Sequence, residues 1–336
     1  MSGAAVVGAG SWGTALAAHL ARLGTPTRLW ARDAAVARSI AAARENPRYL
    51  PGVRLPDLVE ITGDRDEALA GAGLVVVAVP SHFLRGVLTP MAPLVPPGAI
   101  LLSATKGLEP ASALRMSEVL SQIAPGRTVA VLSGPSFARE VVLGRPTALV
   151  VASSDVAAAD ELQGRLTAPG LRLYTNRDVI GVEIGGALKN VMAIATGLSD
   201  GLELGENARA ALITRGLAEI GRLALALGGR PATVSGLAGL GDLVLTCTGA
   251  QSRNHALGLG IARGRSLAEV ESSTPMIAEG VRTVASALTL ARSKGVSMPI
   301  CEQVSAVLFD GRAVRDALQA LLAREPRPEE EGAVRA

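Results

Sequence analysis

The feature that most restricts the fold of this chain is a glycine-rich turn directly behind its first apolar segment. Residues 4–7 form a short apolar run suited to a strand, and residues 11–23 have the composition of a helix. Between them, Gly8, Gly10 and Gly13 fit the pattern G-x-G-x-x-G, which allows a tight turn and close approach of the backbone to a pyrophosphate. The chain is therefore predicted to begin with a strand–turn–helix unit that binds a dinucleotide at the helix N-terminus.

Strand-like and helix-like segments alternate from this turn to about residue 178. Further apolar runs predict strands at residues 27–30, 74–79, 100–104, 128–132 and 147–152. Helices are predicted between them, for example at residues 81–91 and 111–123. The run 74–79 is apolar throughout, as is typical of a parallel strand buried on both faces. The alternation predicts an α/β fold, a Rossmann-like doubly wound sheet, over residues 1–178.

The pattern changes after residue 178, where no further buried strand is predicted. Long segments rich in Ala and Leu predict helices at residues 182–198, 207–227, 277–294 and 313–324. We therefore expect an all-α C-terminal domain over residues 179–325. The last residues, 326–336, contain proline and an acidic run, and they are predicted to form a disordered tail.

Composition narrows the class of protein further. With 336 residues, the chain is long enough for two domains with separate cores. Its net charge of +3 is not gathered into a basic arm, which argues against nucleic acid as a partner. Cys247 and Cys301 have no metal-ligand spacing, and the three histidines fit no metal pattern either. No metal site is therefore expected. Because no signal peptide and no apolar run long enough to span a bilayer is recognised, we expect a cytoplasmic protein without a membrane segment.

The end of the second predicted strand bears on the choice of cofactor. In Rossmann folds an acid at this point accepts from the ribose 2′-hydroxyl of NAD, whereas an arginine pairs with the 2′-phosphate of NADP. This chain has Arg32 and Asp33 side by side. Asp33 is also compatible with a helix cap, and both residues are compatible with plain exposed loop charges. The predicted cofactor is therefore NAD(P), with NADPH favoured.

Four further strings have the residue types of a catalytic site. Residues 104–109 and 133–140 each follow a predicted strand, at the edge of the sheet where ligands bind in open α/β folds. Residues 185–191 place a Lys-Asn pair in the first long helix of the second domain. Residues 239–254 combine a glycine-rich loop, an aspartate and a Ser-Arg-Asn sequence.

With these strings the chain closely resembles the bacterial NAD(P)-dependent glycerol-3-phosphate dehydrogenases. The matching strings occur in order between Gly8 and about Gly311. The resemblance implies a Rossmann domain, a helical substrate domain and a homodimer. It also implies reversible hydride transfer between NAD(P)H and dihydroxyacetone phosphate, which gives sn-glycerol 3-phosphate for phospholipid synthesis.

Three side chains are the predicted catalytic groups. Reduction of a ketone leaves an alkoxide, so a donor must supply a proton. Lys189 is the best candidate, because burial on an apolar helix would lower its pKa toward a useful range. Only three of the 33 basic residues are lysines, and arginine cannot give up its proton. Asp242 would orient Lys189 or bind a substrate hydroxyl, and Lys106 would polarise or hold the substrate. Taken alone, the lysines also fit a solvated surface, and Asp242 also fits a helix cap.

The remaining predicted site residues bind the two ligands. Arg253 is expected to pair with the substrate phosphate, because it opens a helix whose free N–H groups favour an anion. The other predicted substrate contacts are Lys106, Gly134, Ser136, Lys189, Asp242, Ser252 and Asn254. By resemblance, Arg253 also lies near the cofactor. The other predicted cofactor contacts are Gly8, Gly10, Ser11, Trp12, Gly13, Arg32, Tyr49, Lys106, Ala138, Ile277 and Glu279.

Two other functions are compatible with parts of this pattern. A 3-hydroxyacid or 6-phosphogluconate-type dehydrogenase would share the Rossmann-plus-helices plan and a Lys-Asn pair on a helix. The ordered strings after Asp242 argue against that alternative. A redox-sensing protein could hold NAD(P)H without turnover, but the combination of Lys189, Asp242 and Arg253 favours an enzyme.

Overall fold

The computed structural model describes residues 3–274, 276–325 and 328. The chain forms two compact units, and their boundary is not a single point in the sequence. The first unit comprises residues up to Thr105 together with Met116–Val179, and the second comprises Lys106–Arg115 and residues from Ile180 onward. The predicted division at residue 178 does not include this excursion of ten residues. The predicted tail, residues 326–336, lies outside the described residues except for Pro328.

The first unit is built on an eight-stranded sheet with a separate two-stranded hairpin. Its strands are β1 (Gly3–Val7), β2 (Thr27–Trp30), β3 (Glu45–Asn46), β4 (Leu50–Arg54), β5 (Val59–Thr62), β6 (Ala72–Val77), β7 (Ile100–Ser103), β8 (Val129–Ser133), β9 (Thr147–Ala152) and β10 (Leu171–Asn176). The order in the large sheet is β10-β9-β8-β7-β6-β1-β2-β5, and β3 pairs with β4. Within the large sheet, neighbouring strands are parallel except β8 and β9, and the hairpin strands β3 and β4 are antiparallel. The predicted Rossmann-like sheet is confirmed, with one antiparallel step.

The strands that the sequence did not predict lie at the edges of the sheet or in the hairpin. In β10, Leu171 and Leu173 are buried, whereas Arg172 and Tyr174 are exposed. In β5, Val59 is buried and Glu60 is exposed. A strand with one exposed face has no continuous apolar run, and such a run was the signal used for the central strands.

The helices of the first unit connect these strands and cover the sheet. They are α1 (Ser11–Arg22), α2 (Ala34–Ala43), α3 (Arg65–Leu69), α4 (Ser81–Leu88), α5 (Met116–Ile123), α6 (Ala138–Val142) and α7 (Val156–Leu166), and a 3₁₀ turn (Thr89–Leu94) follows α4. Helix α5 begins five residues later than the predicted residue 111, because the preceding residues belong to the second unit.

From Val179 onward, the regular secondary structure of the described residues is helical, as predicted for the C-terminal domain. Its helices are α8 (Val179–Gly201), α9 (Gly205–Ala226), α10 (Pro231–Val234), α11 (Asp242–Thr248), α12 (Arg253–Ala262), α13 (Leu267–Ser272), α14 (Glu279–Ser293), α15 (Pro299–Phe309) and α16 (Val314–Leu322), with a π-helical turn (Leu237–Gly241) before α11. Helix α8 is buried from Gly181 to Ser199 and supplies much of the apolar core of the second unit.

The same helix has the length and composition of a membrane span. Val179–Gly201 is the one single helix among the described residues that meets this criterion, and the bent pair formed by Pro231–Thr248 and Arg253–Ala262 meets it jointly. Of the apolar window of α8, 89% is buried inside the protein. This burial matches the position of α8 in the core of the second unit.

Candidate active site

The glycine-rich turn has the backbone geometry that the motif predicts. Gly8 has a φ of 115°, in the region that favours glycine. A Cβ on Gly13 would lie 1.9 Å from the carbonyl oxygen of Gly8, so this turn can close only around a glycine. Helix α1 follows with Gly10 as its N-cap residue. Because Gly10 has no side chain to cap the helix, the first N–H groups of α1 are left for an anion.

A buried asparagine holds this turn from the side. The Nδ2 atom of Asn46 donates to the carbonyl oxygen of Ala9 at 2.9 Å and to Oγ1 of Thr14 at 2.8 Å. Its Oδ1 accepts from the backbone N–H of Tyr49 at 3.2 Å, which ties the predicted cofactor contact Tyr49 to the turn. Sequence reasoning missed Asn46, because its role depends on a hairpin that has no signal in the motif.

The charged pair after β2 is divided between two roles. Asp33 is the N-cap residue of α2, and its Oδ1 accepts from the backbone N–H groups of Ala35 at 2.8 Å and Val36 at 3.4 Å. Arg32 lies over the exposed ring of Phe83, 5.1 Å from its centroid. The carboxylate is thus occupied by the helix, whereas the arginine forms an exposed cationic surface beside an aromatic ring.

The predicted residues after β8 also form a compact turn. Ser136 donates from Oγ to the carbonyl oxygen of Gly134 at 2.9 Å, and Gly134 has a φ of 122°. Ala138 begins the short helix α6.

Two further predicted cofactor contacts, Ser11 and Trp12, open α1, and Trp12 packs against the apolar core of this unit. These residues therefore lie at carboxyl ends of strands or at helix starts, as their positions in the sequence predicted.

In the second unit, the carboxylate of Asp242 contacts both of the predicted catalytic lysines, Lys189 and Lys106. Asp242 is fully buried, and its Oδ1 accepts from Nζ of Lys189 at 2.5 Å. Its other oxygen, Oδ2, accepts from Nζ of Lys106 at 2.6 Å. The Nζ of Lys189 also donates to Oγ1 of Thr246, one turn later in α11, at 2.9 Å. Thr246 was not a predicted site residue, although it lies in the string that was singled out.

The environment of Lys189 lowers its pKa. Burial is the largest cause, the Asp242 carboxylate opposes it, and the ammonium group of Lys106 lowers the pKa further. The resulting pKa of Lys189 is about 8, against an ordinary value of 10.5. A lysine with this pKa can both donate and accept a proton near neutral pH.

A close helix contact places Lys189 beside Asp242. A Cβ on Gly185, one turn before Lys189 in α8, would lie 2.7 Å from the carbonyl oxygen of Ala238. Ala238 lies in the π-helical turn, four residues before Asp242. The absence of a side chain at Gly185 therefore lets α8 approach the start of α11 closely enough for the lysine to reach the carboxylate.

The Ser-Arg-Asn string opens α12. Ser252 caps the helix, because its Oγ accepts from the backbone N–H of His255 at 3.2 Å. The side chain of Asn254 donates to Oδ1 of Asn190 at 2.9 Å and accepts from the backbone N–H of Gly280 at 3.0 Å. The side chain of Asn254 thus links α12 to α8 and α14, and Asn190 was not among the predicted site residues.

Arg253 lies at a cavity of about 110 Å³ in the same unit. The residues that line this cavity are Arg253, Leu257, Val270, Glu271, Thr274, Met276, Ile277 and Ala278. Burial lowers the pKa of Arg253, and the carboxylate of Glu279 opposes that shift. The predicted cofactor contacts Ile277 and Glu279 therefore lie near Arg253. Among the residues that the structure describes, no group of three or more metal-ligating side chains is found.

Comparison with known proteins agrees with this arrangement. The family models for the N-terminus and the C-terminus of NAD-dependent glycerol-3-phosphate dehydrogenase match residues 3–159 and 178–319. The chain is 50% identical to a glycerol-3-phosphate dehydrogenase [NAD(P)+] of Geobacter sulfurreducens, over 96% of this chain and 98% of that protein. It is also 50% identical to the protein of the same name from Moorella thermoacetica, over 97% of each chain.

A solved structure gives the same result for the fold. The glycerol-3-phosphate dehydrogenase of Coxiella burnetii superposes with a TM-score of 0.93 at 41% sequence identity, covering 96% of this chain and 99% of that one. Taken together, the two family models cover the glycine-rich turn and the Lys106–Asp242–Lys189 cluster, and so do the relatives that match most of the chain. The chain therefore belongs to the NAD-dependent glycerol-3-phosphate dehydrogenase family, whose members are NAD(P)-dependent oxidoreductases.

Proposed function

We propose that this enzyme catalyses the reversible reduction of dihydroxyacetone phosphate to sn-glycerol 3-phosphate with NAD(P)H. The observation that carries the proposal is the buried Asp242 carboxylate, which holds one lysine on each oxygen. Such a cluster offers a proton and a fixed positive charge to a carbonyl oxygen, as ketone reduction requires. The family to which the chain belongs supports this choice of substrate.

The glycine-rich turn is proposed to hold the cofactor pyrophosphate, through Gly8, Gly10, Gly13 and the N–H groups of Ser11 and Trp12. When bound, the nicotinamide cofactor supplies the hydride. Arg32 is proposed to favour NADPH, since it offers an exposed guanidinium where a 2′-phosphate is expected. The use of Asp33 as a helix cap supports this preference, because its carboxylate is already an acceptor for α2.

Lys189 is proposed as the general acid for reduction and the general base for oxidation. With a pKa of about 8, its amine is mostly protonated at neutral pH and can donate to the alkoxide oxygen. Asp242 and Thr246 orient the amine through their hydrogen bonds. Lys106 keeps its ammonium group on the opposite oxygen of Asp242, where it is proposed to hold the carbonyl oxygen of the substrate and stabilise the developing negative charge.

Arg253 is proposed to bind the phosphate group. It is the first residue of α12, so the guanidinium and the free N–H groups of the helix start favour the same anion. By family resemblance, Gly134, Ser136, Ser252 and Asn254 complete the substrate contacts. On the same basis, Tyr49, Lys106, Ala138, Arg253, Ile277 and Glu279 are proposed cofactor contacts.

A steady-state assay tests the proposal directly. Reduction of dihydroxyacetone phosphate is followed by the absorbance of the reduced nicotinamide, with NADPH and NADH in parallel. Turnover with both cofactors and a higher kcat/KM for NADPH is expected. Oxidation of 3-hydroxyisobutyrate in place of sn-glycerol 3-phosphate would indicate a 3-hydroxyacid dehydrogenase instead. Tight NADPH binding without turnover of any of these substrates would indicate a redox-sensing protein.

The wider setting is proposed from the same resemblance. The product is expected to supply phospholipid synthesis in the cytoplasm, and the enzyme is expected to be a homodimer. Light scattering of the purified protein gives its mass in solution, and a mass of one chain would contradict the dimer.

A further inference from the structure

The ten residues that leave the first unit form a closed loop, here called the lysine loop (Lys106–Arg115). Leu108 is fully buried and belongs to the apolar core of the second unit. It pairs with Arg115 through an isolated antiparallel bridge. Inside the loop, the backbone N–H of Glu109 donates to the carbonyl oxygen of Leu114 at 2.9 Å. These contacts hold the two ends of the loop side by side.

The C-terminal residue of the lysine loop, Arg115, forms an ion pair with α8. Nη1 of Arg115 donates to Oε2 of Glu183 at 2.8 Å, and the two side chains are 15% and 3% exposed. A second contact comes from α14, where Oγ of Ser286 donates to the carbonyl oxygen of Glu109 at 3.4 Å. Removing one member of a buried ion pair is costly, so a pair of this kind holds the two segments in a fixed geometry.

The N-terminal residue of the lysine loop is Lys106, whose Nζ donates to Asp242. Glu183 and Lys189 lie on the same helix, six residues apart. One end of the loop is therefore fixed to the helix that carries Lys189. The other end contacts the carboxylate that Lys189 also contacts.

We propose that Arg115 and Glu183 are positioning residues for the reaction: by closing the lysine loop on α8, their ion pair keeps the ammonium group of Lys106 on Asp242 and therefore beside Lys189. The proposal rests on the proposed function for its catalytic consequence. Its structural core, the dependence of Lys106 on the ion pair, can be tested without any substrate.

Among the described residues, Asp242 on α11 and Lys106 on the lysine loop act on the pKa of Lys189, and Lys189 in turn acts on the thiol of Cys247 on α11. The effect of the loop on Lys189 therefore has a defined sign. The positive charge of Lys106 lowers the pKa of Lys189. If the loop loosens and Lys106 leaves Asp242, the titration midpoint of Lys189 must rise.

The experiment follows the lysines by NMR after labelling their ε-carbons. The chain has three lysines, at positions 106, 189 and 294, so three signals are expected. The titration of Lys189 is assigned with Lys189→Met and compared among the parent, Lys106→Met, Glu183→Gln and Arg115→Met. In Lys106→Met the midpoint of Lys189 is expected to rise by about one pH unit, because a like charge is removed. Glu183→Gln and Arg115→Met are expected to raise it in part.

The two tether variants separate positioning from direct electrostatics. Glu183→Gln removes a negative charge, which by itself would lower the pKa of Lys189, whereas Arg115→Met removes a positive charge, which would raise it. Only a displacement of the lysine loop raises the midpoint of Lys189 in both variants. A midpoint that falls or stays in Glu183→Gln overturns the proposal, and so does a midpoint that stays in Lys106→Met. If a single variant fails to fold, the double variant Glu183→Gln/Arg115→Met, which removes both charges of the ion pair, is expected to show the same rise.

Activity provides the second readout. In both tether variants the pH at which dihydroxyacetone phosphate reduction declines is expected to rise with the midpoint of Lys189. Arg165→Met, which removes an i,i+4 ion pair with Glu161 in the first unit, is the control for loss of one charge and should leave both readouts unchanged. A parent without this activity would refute the proposed function, and the NMR titration would still decide whether the ion pair positions Lys106.

Discussion

Lys189 and Asp242 meet at 2.5 Å across two helices, and the carboxylate is fully buried. A lysine in this setting can be replaced without disturbing its surroundings only if the stem volume is kept. Methionine retains much of the length and apolar packing of the lysine side chain and removes its proton.

Lys189→Met is therefore expected to fold, to bind NADPH and to lose turnover by about 10²–10⁴-fold, the usual contribution of a positioned acid. Arginine at this position should fail as well, since it keeps the charge but does not release its proton near neutral pH. Steady-state kinetics and NADPH fluorescence titration measure the two properties. More than about a tenth of the parent turnover in Lys189→Met would reduce the lysine to a binding residue.

The pH dependence of the two reaction directions should be opposite. As the proposed general acid for reduction, Lys189 must be protonated, and its pKa is about 8, so kcat/KM for dihydroxyacetone phosphate should fall as the pH rises through about 8. Oxidation of sn-glycerol 3-phosphate needs the neutral amine and should rise through the same range. The test is a pair of pH profiles on one enzyme preparation. Two profiles that move in the same direction would assign the titration to another group.

Gly185→Ala should separate Lys189 from Asp242. The new Cβ would lie 2.7 Å from the carbonyl oxygen of Ala238 and 3.1 Å from Cα of Gly239. Both are backbone atoms, so the backbone has to shift. Because small displacements in an active site are costly, turnover is expected to fall by about 10²-fold. Gly221→Ala in α9 is the matched control: nothing lies within 4 Å of its Cβ, so it should keep the parent activity. Equal activity in the two variants would contradict the packing argument.

Arg32→Ala should raise the KM for NADPH much more than the KM for NADH, since only NADPH has a 2′-phosphate. Asp33→Asn should change neither KM strongly, because asparagine also caps a helix and the carboxylate is already used by α2. Both KM values are measured for each variant. A large rise for NADH in Asp33→Asn would show that Asp33 binds the ribose.

A buried acid outside the active site predicts how stability depends on pH. Glu219 in α9 accepts from the backbone N–H of Ile300 at 2.7 Å, at the start of α15. Burial raises its pKa to about 7, from an ordinary value of 4.5, although the hydrogen bonds from Ile300 and Cys301 oppose the shift. Between these pH values the folded protein keeps a proton that the unfolded chain releases.

The contribution of Glu219 to stability is therefore full below about pH 4.5 and is lost as the pH rises toward 7, by about 3 kcal/mol in total. Glu219→Gln keeps an acceptor oxygen and does not titrate, so the free energy of unfolding should fall less steeply over this range. Denaturant unfolding at several pH values measures both slopes. Identical slopes in the parent and the variant would place the proton elsewhere.

The parts of the fold that could be predicted from the sequence are those fixed by local pattern. The turn from Gly8 to Gly13 and the central strands have signals in consecutive residues, and so does the helix that carries Lys189. Residues whose role depends on distant contacts could not be found in this way. Asn46 reaches the glycine-rich turn from a hairpin, and Thr246 meets Lys189 only after α8 and α11 pack together.

The largest difference from the prediction has the same origin. Residues 106–115 lie between a strand and a helix of the first unit, and their composition does not distinguish them from an ordinary loop. Their place in the second unit depends on Leu108, which enters the core around α8, and on Arg115, which pairs with Glu183. Both partners lie about 70 or more residues further along the chain, beyond the range of any local pattern.

The lysine loop also decides how this protein can be divided or recombined. A fragment that starts at residue 180 would contain Lys189, Asp242 and Arg253 but would lack Lys106, and the space filled by Leu108 would be open in its core. A chimera that takes its nucleotide-binding unit from a relative would therefore need three junctions, after Thr105, after Arg115 and after Val179. Only with all three would the transplanted unit leave both lysines of the site in their own scaffold.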